Sequence, residues 1–390
     1  MAESLGFPPA RLTQPGPGAI WVHAVSVGEA LLAVPLVRRL RERFPGRAIV
    51  FSTSTPTGQD IAQEKLTSYC DQIFYAPFDF PWAVRATMRA VKPALLLVLE
   101  TEIWPNLFRE AKRHGTSVLL ANGRISDRSE PRYRSLRRFF APTLAQCDAV
   151  LTQSAQDAER FVAAGAPADA VRAAGNLKYD FEPGAAEPPG AVAELLTRLE
   201  PSPVILAGST REGEEAMVAR AFAELAQKHP RALLMVAPRH PQRFDEAYET
   251  LCASGLPVVR RSALGEPPAL PAILLLDSLG ELSSLYASAS VVFVGGSLNG
   301  WGGHNVLEPA LFEKPVVVGP AMQNFRAVAD RLLAADALVQ IDDAAGLAPA
   351  LGALLYDPQR AAQMGARGRA VAEAERGATG RVVEQAAQLL

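Results

Sequence analysis

Short apolar runs alternate with amphipathic stretches along the first half of the chain. Most of the runs are apolar throughout, a pattern typical of strands in a parallel sheet that helices cover on both faces. The predicted strands are 19–25, 48–53, 72–75, 94–99, 117–121 and 149–153. The predicted helices between them are 31–44, 58–69, 81–91, 105–114 and 155–164. We therefore expect an α/β domain in this half.

The stretch 181–203 interrupts the alternation because it is rich in proline, and it predicts a linker with one helical turn. The alternation then resumes. The predicted strands are 203–207, 232–237, 256–259, 272–276, 291–294, 315–318 and 337–341. The predicted helices are 212–228, 241–253, 279–287, 306–312, 323–335, 345–355 and 358–389. Two such halves predict two doubly wound, Rossmann-like domains that face each other across a cleft, with ligands at the carboxyl ends of the strands.

Composition and charge narrow the possible functions. The 390 residues are 49% apolar and 21% charged, as in a globular protein, and the net charge of −2 gives no support for general nucleic-acid binding. No apolar run approaches the roughly 20 residues that cross a bilayer, and the first 18 residues lack a signal-peptide core. Cys70, Cys147 and Cys252 are far apart, which predicts reduced thiols of a cytosolic protein without a metal site.

A glycine-rich turn follows the strand predicted at 291–294. Five glycines lie among the nine residues 295–303, and a helix-like run begins at Val306. A strand, a glycine-rich loop and a helix start can present free backbone N–H groups and a positive helix end to an anion. Because Asn305 and Glu308 lie in this turn, we expect a nucleotide or a sugar rather than a bare phosphate.

Carboxylates follow two strands of the first half. Glu29 lies in Ser26-Val27-Gly28-Glu29, where it either complements the dipole of the next helix or acts as a general base. Pro35 indicates that this helix begins late or is kinked. Glu100 and Glu102 follow a very apolar strand and lie beside Trp104. They either serve a functional site or, for Glu102, cap the helix that begins near Pro105.

Cations and helix starts near other strand ends allow two interpretations each. Lys178 is a surface charge or reaches into the cleft. Ser209 and Thr210, followed by acids, form a helix N-terminus or an anion-binding turn. The pair Arg239-His240 between two prolines offers a cation and an imidazole to a phosphate. The stretch 124–140 carries six arginines and ends in two phenylalanines, which suits a solvated helix face or a surface for acidic lipid head groups.

Several motifs are missing from the sequence. There is no G-x-x-x-x-G-K-[S/T], no G-x-G-x-x-G after a strand and no G-x-S-x-G. P-loop NTPases, dehydrogenases and α/β-hydrolases are therefore disfavoured. The sequence also lacks Asp-x-Asp, the usual magnesium ligand of metal-dependent glycosyltransferases, and it lacks a His/Cys cluster.

Taken together, the motifs resemble a known family. The matching stretches are SVGE (26–29), STPTG (54–58), ETEIWPN (100–106), NLKYD (176–180), STREGEE (209–215), PRHPQRF (238–244), GELSSLY (280–286), GGSLNGWGGHNVLEPA (295–310) and GPAMQNF (319–325). They are similar to those of the bacterial 3-deoxy-D-manno-octulosonic acid (Kdo) transferases of lipopolysaccharide synthesis, which are inverting enzymes of the GT-B fold. Because the stretches occur in order over most of the chain, the resemblance is specific.

The resemblance implies an activity and a set of site residues. It implies transfer of Kdo from CMP-Kdo to a hydroxyl of a lipid A precursor, without a metal or other cofactor. Glu29 would be the general base, and Glu100 and Lys178 would stabilise the transition state. The cytidine nucleotide would contact Pro238, Arg239, Leu279, Gly280, Glu281, Asn305, Val306, Leu307 and Glu308. Arg239 and the helix start at Asn305 can hold the phosphate, and Glu308 can accept from ribose hydroxyls.

The resemblance also implies a domain layout and a location. We expect an acceptor-binding domain over 1–180, a linker over 181–203, a CMP-sugar-binding domain over 204–365 and a C-terminal helix over 366–390 that packs back on the first domain. Family members usually begin with an apolar anchor, whereas this chain opens with MAESLGF. Either the anchor has been removed from this chain, or this member docks by its surface alone, with the 124–140 region on the cytoplasmic face of the inner membrane. The alternatives are another GT-B enzyme that uses a UDP-sugar and a nucleotide-sugar-binding module without catalysis.

Overall fold

The computed structural model describes residues 3–7, 18–181 and 188–390. The chain forms two compact units, one of Met1–Phe181 with Glu375–Leu390 and the other of Glu182–Ala374. The predictions for most of the N-terminal segment 1–18 and for the 182–187 part of the linker lie outside the described residues.

The first unit is built on a sheet of seven parallel strands in the order β3-β2-β1-β4-β5-β6-β7. The strands are β1 Ala19–His23, β2 Ile49–Thr53, β3 Gln72–Tyr75, β4 Pro93–Leu99, β5 Ser117–Gly123, β6 Ala149–Thr152 and β7 Val171–Ala173. The six predicted strands are all present. The sequence analysis missed β7 because it is only three residues long and lacks a buried residue.

Seven helices of the first unit connect these strands. They are α1 Val27–Arg43, α2 Pro56–Leu66, α3 Pro81–Val91, α4 Pro105–Arg113, α5 Glu130–Ser135, α6 Arg137–Leu144 and α7 Ala155–Ala164. The late start predicted for α1 is wrong, because Ser26 caps it and Pro35 lies within it. The solvated helix face predicted for the arginine-rich stretch is present as α5 and α6, but their bounds were not predicted, since the sequence has little apolar periodicity and α5 buries no residue.

The second unit has its own seven-stranded parallel sheet in the order β10-β11-β9-β8-β12-β13-β14. Its strands are β8 Val204–Thr210, β9 Leu233–Pro238, β10 Val258–Arg260, β11 Ala272–Leu275, β12 Val291–Val294, β13 Val316–Val318 and β14 Leu338–Gln340. Its helices are α8 Gly190–Leu199, α9 Glu214–Ala226, α10 Phe244–Cys252, α11 Leu282–Leu285, α12 Leu307–Leu311, α13 Arg326–Ala334, α14 Leu347–Tyr356 and α15 Pro358–Glu375. The linker prediction of one helical turn is wrong, because α8 has ten residues and buries Val192 and Leu195.

The single helix predicted over 358–389 is two helices. Gly377, with a φ of +92°, ends the run after α15, and α16 begins at Ala378 and ends at Leu389. The carboxylate of Asp180 accepts the backbone N–H groups of Gly377 and Thr379, which satisfies the start of α16. Ala378, Val382 and Ala386 join the hydrophobic core of the first unit. The C-terminal helix is therefore part of that unit.

Strand order places a switch point in each sheet. In the first unit, the chain runs from β1 through β2 to β3 and then returns to β4 on the other side of β1. In the second unit, β9 and β12 lie on opposite sides of β8. Ligands of such sheets bind beyond the carboxyl ends of the strands at these points. The predicted pair of Rossmann-like domains with parallel sheets is confirmed.

Within the described ranges, no helix combines the length and apolar character needed to span a membrane.

Candidate active site

The switch point of the first sheet brings three carboxylates together. Glu29 lies in the first turn of α1, directly beyond β1, and Glu100 and Glu102 lie directly beyond β4. Because β1 pairs with β4, these segments share one edge of the sheet. The negative charges of Glu102 and Glu100 both act on Glu29 and raise its pKa.

Glu29 is held by short contacts within its own turn. Its Oε2 accepts the N–H of Val25 at 2.7 Å, and its Oε1 accepts the hydroxyl of Ser26 at 2.8 Å. Burial, which leaves 8% of the residue exposed, is the main cause of its raised pKa, and the hydrogen bonds from Val25 and Ser26 partly oppose it. Since each carboxylate oxygen can accept a second hydrogen bond, Glu29 can still accept a proton from a hydroxyl.

Glu102 does not cap the helix that follows it. Trp104 is the N-cap residue of α4, and the carboxylate of Asp79 accepts the N–H groups of Asn106 at 3.0 Å and Leu107 at 2.8 Å. The carboxylate of Glu102 instead accepts the indole N–H of Trp104 at 3.0 Å, and burial is the main cause of its raised pKa. The capping alternative for Glu102 is therefore wrong.

Glu100 and Lys178 form an ion pair at the same edge of the sheet. The Nζ atom of Lys178 lies 3.7 Å from Oε1 of Glu100, and 54% of the lysine side chain is exposed. The turn of Lys178 is fixed because the amide oxygen of Asn122 accepts the N–H of Leu177 at 3.0 Å. Glu100 has a φ of +59°, which is unusual for a residue with a Cβ. The structure therefore places Glu29, Glu100 and Lys178 around one switch point, and their roles stay predictions.

His23, the last residue of β1, also lies near these carboxylates' strand ends and was not predicted from the sequence. The ring is buried, its Nδ1 lies 2.9 Å from the hydroxyl of Ser52, and it meets Trp104 edge-on at a centroid distance of 5.6 Å. Burial lowers the pKa of His23 to about 4, so the ring is neutral near pH 7. A histidine within an apolar strand gives no sequence signal that separates it from an ordinary core residue.

In the second unit, a buried side chain occupies the N–H groups of the glycine-rich loop. The carboxylate of Glu214 accepts the N–H groups of Gly296 at 2.7 Å, Ser297 at 3.0 Å and Leu298 at 2.9 Å. It also accepts the N–H of Arg211 at 2.9 Å. The expectation that this part of the loop offers free N–H groups to a ligand is wrong, because an anion of the protein itself fills the nest.

The helix-start interpretation of Ser209 and Thr210 is wrong, whereas the anion-binding interpretation of this turn stays a prediction. The strand continues through Thr210, and α9 begins at Glu214 with Gly213 as its N-cap. The hydroxyl of Thr210 donates to the carboxylate of Glu215 at 2.8 Å. The run of acids in STREGEE is the only sequence feature that points to Glu214. Its burial beneath the glycine-rich loop could not be predicted, because that loop is far away along the chain.

A cationic cluster lies beside this loop. The guanidinium of Arg211 has its Nη1 2.5 Å from Nε2 of His240 and its Nε 3.3 Å from Nε2 of His304. It also lies over the indole ring of Trp301, at 4.7 Å from the centroid. Burial, followed by the charges of Arg211 and Arg239, lowers the pKa of His304 to about 4. Both arginines are therefore close to a neutral imidazole.

The structure brings several of the predicted nucleotide contacts together. Pro238 and Arg239 are at the end of β9, and the segment from Asn305 to Glu308 leads into α12. The carboxylate of Glu308 accepts the amide of Asn305 at 3.2 Å. Burial raises the pKa of Glu308, whereas the positive charge of Arg239 opposes that shift. The positive charge of Arg239 therefore acts directly on the carboxylate of Glu308.

The predicted contacts after β11 are partly engaged within the protein. The carboxylate of Glu281 accepts two N–H groups of Arg261, at 2.8 and 3.0 Å, and the hydroxyl of Ser278 at 2.5 Å. Leu279 is 72% exposed, and Gly280 has a φ of +83°. This turn therefore presents an exposed apolar side chain and its backbone, whereas the carboxylate of Glu281 already has partners, and its contact with a nucleotide stays a prediction.

In the part of the chain that the structure describes, no group of three or more His, Cys, Asp or Glu residues is placed to hold a metal ion. Cys70, Cys147 and Cys252 are free thiols. Burial raises the pKa of the Cys70 and Cys147 thiols to about 12.

Comparisons with known proteins point to one family. A family profile described as 3-deoxy-D-manno-octulosonic-acid transferase (kdotransferase) matches residues 1–181. The 3-deoxy-D-manno-octulosonic acid transferase of Bordetella pertussis is 38% identical over 97% of this chain and 90% of its own length. That of Haemophilus influenzae is 32% identical over 98% of this chain and 90% of its own length.

A solved structure covers both units. The UDP-GlcNAc 2-epimerase of Neisseria meningitidis, bound to UDP-GlcNAc, matches 95% of this chain and 100% of its own with a TM-score of 0.60. Because the two sequences are only 13% identical, this likeness shows the fold alone. The predicted GT-B fold class is thereby confirmed.

Proposed function

The chain belongs to the 3-deoxy-D-manno-octulosonic acid (Kdo) transferase family and is a glycosyltransferase, and on that premise we propose that it moves Kdo from CMP-Kdo to a hydroxyl of a lipid A precursor. The transfer inverts the anomeric centre and needs no metal. The observation that carries this proposal is the Glu29 carboxylate, which is buried, is fixed by two hydrogen bonds and has a raised pKa.

Glu29 acts as the general base in this mechanism. It takes the proton of the acceptor hydroxyl while the hydroxyl oxygen attacks the anomeric carbon of Kdo from the face opposite the phosphate. The bond between that carbon and the phosphate oxygen breaks, and CMP leaves with the electron pair. A raised pKa suits this role because a base is most effective when its pKa approaches the working pH.

Glu100 and Lys178 stabilise the charges that change during transfer. Their ion pair at 3.7 Å lies at the same edge of the sheet as Glu29. The ammonium of Lys178 offsets negative charge that develops on the reacting groups, and Glu100 both orients the lysine and favours positive charge on the sugar ring. The pair is exposed enough to meet a substrate.

Lys178→Met is expected to lower kcat about 10- to 100-fold while leaving the melting temperature nearly unchanged. The expected loss reflects removal of one charge from the transition state. Exposed ion pairs contribute little to stability, so the fold should tolerate the change. Initial rates and thermal denaturation of the full chain check both parts, with Lys65→Met as an exposed control of the same chemistry. A kcat equal to that of the control would remove Lys178 from the mechanism.

In the second unit, Arg239, Asn305 and Glu308 hold the cytidine nucleotide. Arg239 supplies positive charge for the phosphate, and the carboxylate of Glu308 accepts from hydroxyl groups of the ribose. Calorimetry with CMP and UDP separates this proposal from a GT-B enzyme that uses a UDP-sugar. We expect CMP to bind at least about 10-fold more tightly than UDP, a difference of roughly 1.4 kcal/mol.

The direct test is to incubate the protein with CMP-Kdo and a tetraacyl lipid A precursor and to weigh the lipid product. A mass increase of one or more Kdo residues, unchanged by a metal chelator, supports the proposal. Unmodified lipid in the presence of intact donor contradicts it. Activity that a chelator abolishes and an added divalent cation restores would contradict the metal-independent mechanism alone.

We further propose that the protein docks on the cytoplasmic face of the inner membrane through residues 124–140. The structure leaves all six arginines of this stretch exposed, and Phe139 is 63% exposed beside them. An anionic membrane surface attracts each nearby arginine by about 1 kcal/mol, and an exposed phenylalanine adds apolar contact.

Replacing Arg134, Arg137 and Arg138 by glutamine is expected to abolish flotation with acidic liposomes. The control replaces Arg39, Arg43 and Lys65, three exposed cations of the first unit outside the stretch, and should float normally. Flotation on vesicles of phosphatidylglycerol and phosphatidylethanolamine measures the difference. Equal loss in both variants would indicate an effect of net charge, and equal retention would contradict docking by this surface.

A further inference from the structure

Among the residues that the structure describes, the charged Arg211 guanidinium has no acidic partner. Its contacts are Nε2 of His240 at 2.5 Å, Nε2 of His304 at 3.3 Å and the ring of Trp301. No carboxylate lies within ion-pair distance of it among the residues that the structure describes. The guanidinium of an arginine has five N–H groups. The contacts with His240 and His304 use two of them, so three remain for a ligand.

A second unpaired guanidinium lies close by. Arg239 is exposed and forms no ion pair with any described residue, and its charge acts on both His304 and Glu308. The positive charges of Arg211 and Arg239 both act on His304, and two guanidinium groups near one another repel, so their arrangement favours ligands with negative charge. Arg243, next along the chain, is different because Glu215 and Glu246 both pair with it.

The backbone of the glycine-rich loop cannot take over this role at Gly296, Ser297 and Leu298. Those N–H groups are already donated to Glu214. The side chains of Arg211 and Arg239 therefore supply the positive charge available to an anionic ligand at this switch point.

We propose that Arg211, with His240 and His304, binds the carboxylate of the sugar acid, while Arg239 binds the phosphate of the same donor. This inference rests on the proposed function, since an octulosonic acid carries a carboxylate in addition to the phosphate of the nucleotide. Arginine suits the task because its planar fork matches a carboxylate with two parallel hydrogen bonds. Trp301 and the two imidazoles hold the plane of the fork in place without neutralising its charge.

Neighbouring groups distinguish the two arginines. Arg239 shares its environment with Glu308 and Asn305, which suit a ribose and therefore the nucleotide end of the donor. Arg211 instead contacts the loop residues Trp301 and His304. The sugar acid, which extends beyond the phosphate, is therefore assigned to Arg211.

The test compares Arg211→Gln and Arg239→Gln in the full chain, with Arg220→Gln as an exposed control on α9. Calorimetry measures the Kd for CMP, and initial rates measure the KM for CMP-Kdo. We expect Arg211→Gln to change the Kd for CMP less than 2-fold but to raise the KM for CMP-Kdo at least 10-fold. Arg239→Gln should weaken both at least 10-fold, and Arg220→Gln should change neither.

Each other outcome contradicts a specific part of the proposal. If Arg211→Gln weakens CMP as strongly as CMP-Kdo, Arg211 binds phosphate rather than the sugar carboxylate. If it changes neither, the cluster does not bind the donor. Arg211→Lys, which keeps the charge without the fork, should give an intermediate KM, and thermal denaturation confirms that each variant is folded. A wild-type protein that does not bind CMP would contradict the proposed function itself, which is a separate result.

Discussion

Glu29→Gln is expected to lower kcat for Kdo transfer at least about 100-fold, while the Kd for CMP stays within 2-fold of the wild-type value. Loss of a general base typically costs between 10² and 10⁴ in rate. Glutamine keeps the shape of the side chain and can still accept the N–H of Val25, so the turn should survive. Glu29→Ala should lose transfer equally. Glu42→Gln, at an exposed position on the same helix, is the matched control.

The pH dependence gives a second measurement of the same group. The wild-type rate should rise with pH through the raised pKa of Glu29, because only the ionised carboxylate can take a proton. A carboxyl whose pKa is higher in the folded than in the unfolded protein binds more protons when folded. Its contribution to stability is therefore greatest at low pH and declines as pH rises through the folded pKa.

Glu29→Gln should accordingly match or exceed the wild-type melting temperature near neutral pH, with the difference shrinking in acid. Loss of transfer together with retained stability identifies a functional carboxylate. A variant with normal turnover would eliminate Glu29 as the base. A variant that lost both activity and stability would indicate that Glu29 acts through its hydrogen bonds to Val25 and Ser26 rather than through proton transfer.

Glu214→Ala is expected to destabilise the second unit by about 3 kcal/mol or more. The substitution leaves the N–H groups of Arg211, Gly296, Ser297 and Leu298 without their acceptor, and an unsatisfied buried donor costs roughly 1–3 kcal/mol, although such costs do not add fully. For a unit of this size, 1 kcal/mol shifts the melting temperature by about 2–4 °C, so a fall of roughly 6–12 °C should be measured.

Glu212→Ala is the control for this prediction. Glu212 is exposed, and only its backbone carbonyl, which accepts the amide of Asn299 at 2.6 Å, contributes to the loop. Its melting temperature should therefore stay within about 1 °C of wild type, as for most surface substitutions. Glu214→Gln should also be destabilised, because one amide oxygen cannot replace two carboxylate oxygens and the NH₂ group would face N–H donors. An unaffected Glu214→Ala variant would show that water or the loop itself can satisfy these donors.

The sequence predicted the fold well because its signal is local and repeated. Continuous apolar runs such as 94–99 identify buried parallel strands, and the amphipathic stretches between them identify helices. The errors fall where that signal is weak or ambiguous. β7 is short and poorly buried, α5 lacks a buried face, and a proline within α1 suggested a late start that Ser26 prevents by capping.

By itself, the sequence determined the two α/β halves, the positions of polar residues just beyond strands and the motifs that identify the family. Each of these depends on neighbouring residues or on their spacing along the chain. Only the tertiary structure decided that Glu29, Glu100 and Lys178 meet at one edge, because the pairing of β1 with β4 is a long-range outcome of packing. It also decided that Glu214 accepts the N–H groups of the glycine-rich loop and that Arg211 contacts two imidazoles rather than a carboxylate of the described chain, since burial and charge pairing depend on residues far apart in sequence.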